Sequence, residues 1–176
     1  GSYLGPKFTD RQVEDFLEES EIPYKKLAED KVAATVAELI DNEKVIGWFQ
    51  GRMEFGPRAL GGRSILGDAR SLKMQSLMNR KIKFRESFRP FAPSVLSDDV
   101  SKYFEHEGES PYMLITAPVL EKRRIPSSPN GVNGFDKLKV IRSTIPAVTH
   151  VDYSARIQTV QRENHPLYYD LIEAFS

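Results

Sequence analysis

The chain has no cysteine, which excludes disulfide staples and thiolate metal sites and fits a reducing, cytoplasmic setting. No stretch approaches 18 apolar residues, and the N-terminus lacks the basic-then-apolar pattern of a secretory leader. A membrane protein is therefore not expected. No Gly-x-Gly-x-x-Gly fingerprint follows a strand, and no Gly-x-Ser-x-Gly elbow is present, so neither a dinucleotide fold nor a serine hydrolase is supported. Net charge is absent too: 25 lysines and arginines balance 25 aspartates and glutamates, and the 40% hydrophobic content suffices for a packed core within 176 residues.

That balance hides a concentration. Residues 51–90 hold Arg52, Arg58, Arg63, Arg70, Lys73, Arg80, Lys81, Lys83, Arg85 and Arg89 against Glu54, Asp68 and Glu86, a local surplus of seven positive charges. Packing such a block without counter-charge costs self-repulsion, whereas a bound polyphosphate turns the same field into attraction. Arginine outnumbers lysine seven to three, threaded through glycine, proline and aromatics in GRMEFGPRALGGRSILGDAR and KIKFRESFRPFAP. A planar guanidinium offers two parallel donors to a phosphate, so arginines on stiff backbone suit small phosphorylated ligands better than a disordered nucleic-acid arm.

Thr9 and Gln12 read as a capping box opening a helix with Val13, Phe16 and Leu17 on one face. Val32, Val36, Leu39 and Ile40 predict a helix over 29–42; 44–50 (KVIGWFQ) reads as a strand; Met74, Leu77, Met78 and Ile82 predict a helix over 71–83. Strands are expected at 91–96, 112–119, 148–151 and 156–160, a short helix at 98–104, a loop at 121–134 and a final helix at 165–175. The alternation predicts an α/β domain. Gly1 and Ser2 read as an expression scar.

Residues 57–64 approximate a phosphate-binding Walker loop, but proline stands where the first glycine belongs and Arg63 where the lysine belongs, which removes both the backbone freedom and the slender ammonium. His150 and Asp152 would share one face of a strand; a metal site there lacks further ligands, so a structural hydrogen-bonding role is expected and no metal residue is assigned.

Three segments, GRMEFGPRALGGRSIL at 51–66, KFRESFRPFAPSVL at 83–96 and IPAVTHVDYSARIQTV at 145–160, together resemble the C-terminal domain of NodU/CmcH-type carbamoyltransferases. The resemblance implies a YrdC-like fold, a twisted mixed sheet with flanking helices, over 3–176. It also implies a preceding sugar-kinase-like domain with an iron-assisted site that passes a carbamoyl group to a substrate hydroxyl. By the same resemblance this domain takes carbamoyl phosphate and ATP, with Mg2+ accompanying the nucleotide, and forms carbamoyl-adenylate. Lys83 and Arg85 match the family's Lys-x-Arg signature and are the catalytic candidates. With Arg89, the resemblance implies, they form a phosphate clamp. Arg52, Arg58 and Arg63 fall on the arginine positions of the first motif, Glu54 is their orienter, and Arg156 is a further phosphate candidate supported by His150 and Asp152.

Two departures bear on the transfer. Tyr153-Ser154 stands where the family has Gly-Thr, which implies strain if that position needs a positive φ. Family members also continue past the helix matching 165–175 into a strand that helps hold the nucleotide, so the domain is expected to be partial and inactive alone. Two other classes compete: an RNA-binding module using Phe84, Phe88 and Phe91 between cations, which is disfavoured, and a non-catalytic docking domain.

Overall fold

A computed structural model describes residues 2–126 and 134–176. Among the described residues the fold is mixed α/β, with five α-helices and two small sheets. Helix α1 (Asp10–Glu19) opens on the expected box: Gln12 N–H donates to Thr9 Oγ1 and Thr9 N–H to Gln12 Oε1. None of its residues is buried. Helix α2 (Glu29–Asp41) instead buries Ala37 and Ile40 against α5 (Pro166–Phe175), whose proline at the first turn needs no N–H partner there. Trp48, Leu96, Val160, Tyr168, Tyr169 and Leu171 complete that core.

Strand β1 (Ile46–Phe49) pairs antiparallel with β2 (Arg63–Leu66), Ile46 opposite Leu66 and Phe49 opposite Arg63. Residues 50–62 between them form a wide loop carrying the first arginine motif. In the second sheet β5 (Ser154–Val160) is central, parallel to β3 (Ser94–Leu96) and antiparallel to β4 (Ile115–Pro118). Its alternation sends Ala155 and Ile157, both fully buried, into a core with Val95, Val100, Phe104, Val119, Ile145 and Val148. Helix α4 (Val100–Tyr103) follows a 3-10 turn at Ser97–Asp99. Helix α3 (Met74–Lys81) lays Met74 and Met78 on Ala147.

Several expectations change in contact with the fold. Strand β2 was not anticipated, since glycines precede its four residues. The 91–96 strand is reduced to its last three residues, because Pro90 and Pro93 have no N–H to give a ladder. The strand expected at 112–119 begins at Ile115, after Met113 at φ 57° turns the chain. Residues 148–151 are not a strand. Thr149 Oγ1 donates to Ile145 O at 2.9 Å and lies 2.7 Å from Ser143 Oγ, so hydroxyls hold the backbone in a turn that replaces ladder pairing. His150 and Asp152 therefore do not share a strand face; they flank a tight loop in which Tyr153 N–H donates to His150 O and His150 N–H to Ser154 O. Residues 121–123 are a 3-10 turn, and much of the loop expected at 121–134 lies outside the described residues. Among the described residues no helix is long and apolar enough to cross a membrane.

Candidate functional site

The 50–62 loop is organised by Glu54. Its carboxylate is almost fully buried, and Oε1 accepts from both Leu60 N–H and Gly62 N–H. Oε2 lies 3.4 Å from Arg63 Nε, so the predicted orienting ion pair is made with that arginine. The loop's carbonyls are held from outside: Trp48 Nε1 donates to Gly61 O at 2.9 Å, Gln158 Nε2 to Leu60 O at 2.7 Å and Tyr3 hydroxyl to Leu60 O at 3.0 Å. Burial pushes the Tyr168 phenol, which donates to Ser94 Oγ, up to about 12, so it stays a neutral donor at physiological pH. Gly62 allows a close approach of backbone to backbone, since a Cβ there would lie 2.9 Å from Arg52 O and 3.1 Å from Glu54 Oε2.

The arginines of this loop differ. Arg52 is exposed and donates to Gly5 O at 2.8 Å. Arg63 also donates to Gly56 O. Arg58 is half-buried, its Nε buried without a hydrogen-bond partner. Arg156 is exposed on β5, and strand alternation puts it on the same face as Gln158, hence on the side where the 50–62 loop packs.

The second motif leaves the C-terminus of α3. Met78 O accepts from the N–H of Ile82 and Lys83, Phe84 takes a left-handed φ of 48°, and the chain returns so that Arg85 N–H donates to Asn79 O at 3.0 Å. Arg85 Nε donates to Asn79 Oδ1 at 2.6 Å, and its guanidinium carbon sits 5.0 Å from the Phe91 ring centroid. Arg89 is exposed and paired with Glu86 at 2.9 Å; Lys83 is exposed with no ion pair among the described residues. Of the three, only Arg85 is fixed by buried groups. Among the described residues no hydrogen bond or ion pair joins this loop to the 50–62 loop. The candidates thus form two groups, with Arg156 aligned to the first.

A cleft of about 750 Å3 lies beside the second group, lined by Leu72, Gln75, Ser87, Phe88, Ile141 and His150 among others. His150 faces this cleft, which sets it beside the 83–89 loop. Asp152 accepts from Ser154 N–H and Oγ–H, contacts that hold its carboxyl below the usual range, and so serves its turn. Tyr153 has φ 65°, so the position where the resembled family carries glycine does require the left-handed region. Among the described residues no cluster of His, Asp or Glu could hold a metal ion.

Sequence reasoning passed over Asn79, Gln158 and Tyr168, the buried polar groups that position both loops. Their signal was a polar residue inside or beside an apolar run: Asn79 after Met78, Gln158 within RIQTV, and the tyrosine of HPLYYDL.

A buried carboxylate and a buried amide each brace an arginine-rich loop on an α/β frame. The family described as Carbamoyltransferase C-terminus matches residues 37–176, and the chain belongs to it. It is 54% identical to an uncharacterized protein of Synechocystis sp. over 99% of this chain and 29% of that protein. It is 42% identical to nodulation protein NolO of Bradyrhizobium diazoefficiens over 83% of this chain and 24% of that protein. To 3'-hydroxymethylcephem-O-carbamoyltransferase of Streptomyces clavuligerus the identity is 38%, over 76% of this chain and 22% of the enzyme. The chain thus spans about a quarter of the length of these relatives.

Proposed function

We propose that this domain binds carbamoyl phosphate and ATP: water cleaves carbamoyl phosphate to carbamate and phosphate, and a carbamate oxygen then attacks the α-phosphorus of ATP, displacing pyrophosphate, to give carbamoyl-adenylate for transfer to a substrate hydroxyl elsewhere in a longer chain. The observation that carries the reading is Arg85. Its Nε edge is consumed by Asn79 and one face lies against Phe91, while its Nη atoms have no protein partner among the described residues; Ser87 and Phe88 of the same loop line a cleft of about 750 Å3. A guanidinium held in this way meets a phosphate without losing its own freedom on binding. Lys83 and Arg89 on the same loop supply further charge, and Arg52, Arg58, Arg63 and Arg156 form the second positive group, suited to the other phosphates. Mg2+ would accompany ATP and screen its phosphates; the protein's part is the arginine field. A cytoplasmic setting goes with this reading, since both substrates are cytosolic metabolites.

The acceptor step belongs to the rest of a longer polypeptide, for which we propose the sugar-kinase-like domain with its iron-assisted site. The relatives' greater length supports this, as does α1, which buries none of its residues and leaves Phe16 59% exposed. Calorimetric titration of carbamoyl phosphate into the chain tests the core of the proposal. Saturation at one site is expected, and Arg85→Lys should weaken it by about 1–3 kcal/mol, because a bidentate contact becomes a single one. An unchanged midpoint would overturn the assignment.

A further inference from the structure

Asn79 has no exposure at all, although it is polar and lies in an eight-residue helix. Its side chain is saturated by one loop. Nδ2 donates to Ser87 O at 3.2 Å and to Arg89 O at 2.7 Å, while Oδ1 accepts from Arg85 Nε at 2.6 Å. The orientation of the amide follows from chemistry: two carbonyls can only accept and a guanidinium N–H can only donate, so one arrangement satisfies all three. Aspartate would lose both donors, leucine all three bonds, and glutamine is a methylene too long. Asn79's own carbonyl takes the Arg85 N–H, and one turn earlier Gln75 Nε2 donates to Phe88 O at 3.1 Å. A single face of α3 therefore holds residues 85–89 by main chain and side chain together.

We infer that Asn79 is a positioning residue for anion recognition: it presents Arg85 with its Nε edge locked inward and its Nη edge free, in a loop whose path it also sets. The inference rests on the anion-binding reading above and adds the group that makes Arg85 competent. Among the described residues nothing else holds the guanidinium laterally, since Phe91 offers only a ring face, along which a cation can slide at little cost. The left-handed Phe84, 85% exposed, fits the same account. A bulky residue in a sparsely populated backbone region persists where its neighbours are over-determined, and Asn79 supplies the bonds that do so.

The experiment reads Arg85 directly. In the unmodified chain, solvent exchange of the Arg85 Nε–H, followed by its side-chain nitrogen–proton signal, should be slower by about ten-fold or more than that of exposed Arg80. Asn79→Ala should abolish that protection and weaken carbamoyl phosphate binding as far as Arg85→Ala does, with the double variant no weaker than Arg85→Ala alone. An Arg85 Nε–H exchanging as fast as Arg80 overturns the inference even if Asn79→Ala fails to fold, and so do losses that add in the double variant. Slow exchange combined with binding that Arg85→Ala leaves untouched would uphold the locking of Arg85 and overturn the anion reading instead.

Discussion

Gly61 shows how tightly single residues bind the first arginine loop to the core. Its φ is 105°, and a Cβ there would lie 2.5 Å from the Tyr168 ring, so both backbone conformation and space demand glycine. Gly61→Ala should destabilise the protein by about 2–4 kcal/mol, read from urea unfolding, since overpacking and a disallowed φ act together. A loss below about 0.5 kcal/mol would show that the loop shifts freely. His165 makes a second residue-scale case. Burial holds its pKa below the ordinary 6.5, the nearby Glu54 acting weakly in the opposite sense; Nδ1 lies 3.3 Å from Gln50 Nε2, Nε2 is buried without a partner, and the Tyr3 ring packs edge-on at 4.2 Å. The unfolded chain therefore takes up a proton at a higher pH than the folded one. Stability should be full above about pH 7 and fall as pH drops through 6.5 toward the lower folded value. His165→Gln should flatten the melting temperature across that window; an unchanged slope would assign the dependence to another group.

At the scale of elements, what the sequence made legible was periodicity. The capped α1, the apolar stripes of α2 and α3, and the aromatic β1 all follow from spacing that the structure respects. What it hid was whatever depends on partners. The 148–151 segment has the β-branched residues of a strand, yet Ser143 and Thr149 hydroxyls offered its backbone a turn. The arginines of the candidate site were conspicuous, but the groups that aim them were not: Asn79 matters through carbonyls eight and ten positions on, across a turn, and Gln158 through Leu60 O, 98 positions away. Legibility of an element also differs from its contribution to stability. Helix α1 carries a strong apolar stripe but buries nothing, whereas Leu171 of α5 is 2% exposed in the main core. Phe16→Ser should leave unfolding free energy within about 0.5 kcal/mol of the parent, while Leu171→Ala should cost about 2–5 kcal/mol. Comparable losses in denaturant titration would mean that α1 is packed in solution.

On the scale of the whole molecule, the question is what the concentrated positive charge is for. Folding neutralises part of it: Arg70 pairs with Asp68 and Asp41, Arg63 with Glu54 and Arg89 with Glu86. Arg52, Arg58, Lys73, Arg80, Lys81, Lys83 and Arg85 make no ion pair among the described residues. An extended RNA strand and a compact phosphate would use such cations differently. RNA would engage most of them at once, with Phe84 and Phe88, exposed at 85% and 42%, as stacking platforms, and its affinity would fall on the order of a thousand-fold between 50 and 200 mM salt. A small dianion meets only the few cations arranged around one pocket, so its affinity should fall less than about ten-fold over the same range and saturate at one site. Because the best-fixed cation, Arg85, is held by a buried amide in a loop whose Ser87 and Phe88 line a concave cleft, we expect the second behaviour, together with no RNA binding above about 150 mM salt. Parallel titrations of carbamoyl phosphate and of a single-stranded RNA at several salt concentrations measure both. RNA retained at high salt, and displaced by carbamoyl phosphate, would mean that the arginine loops serve nucleic acid.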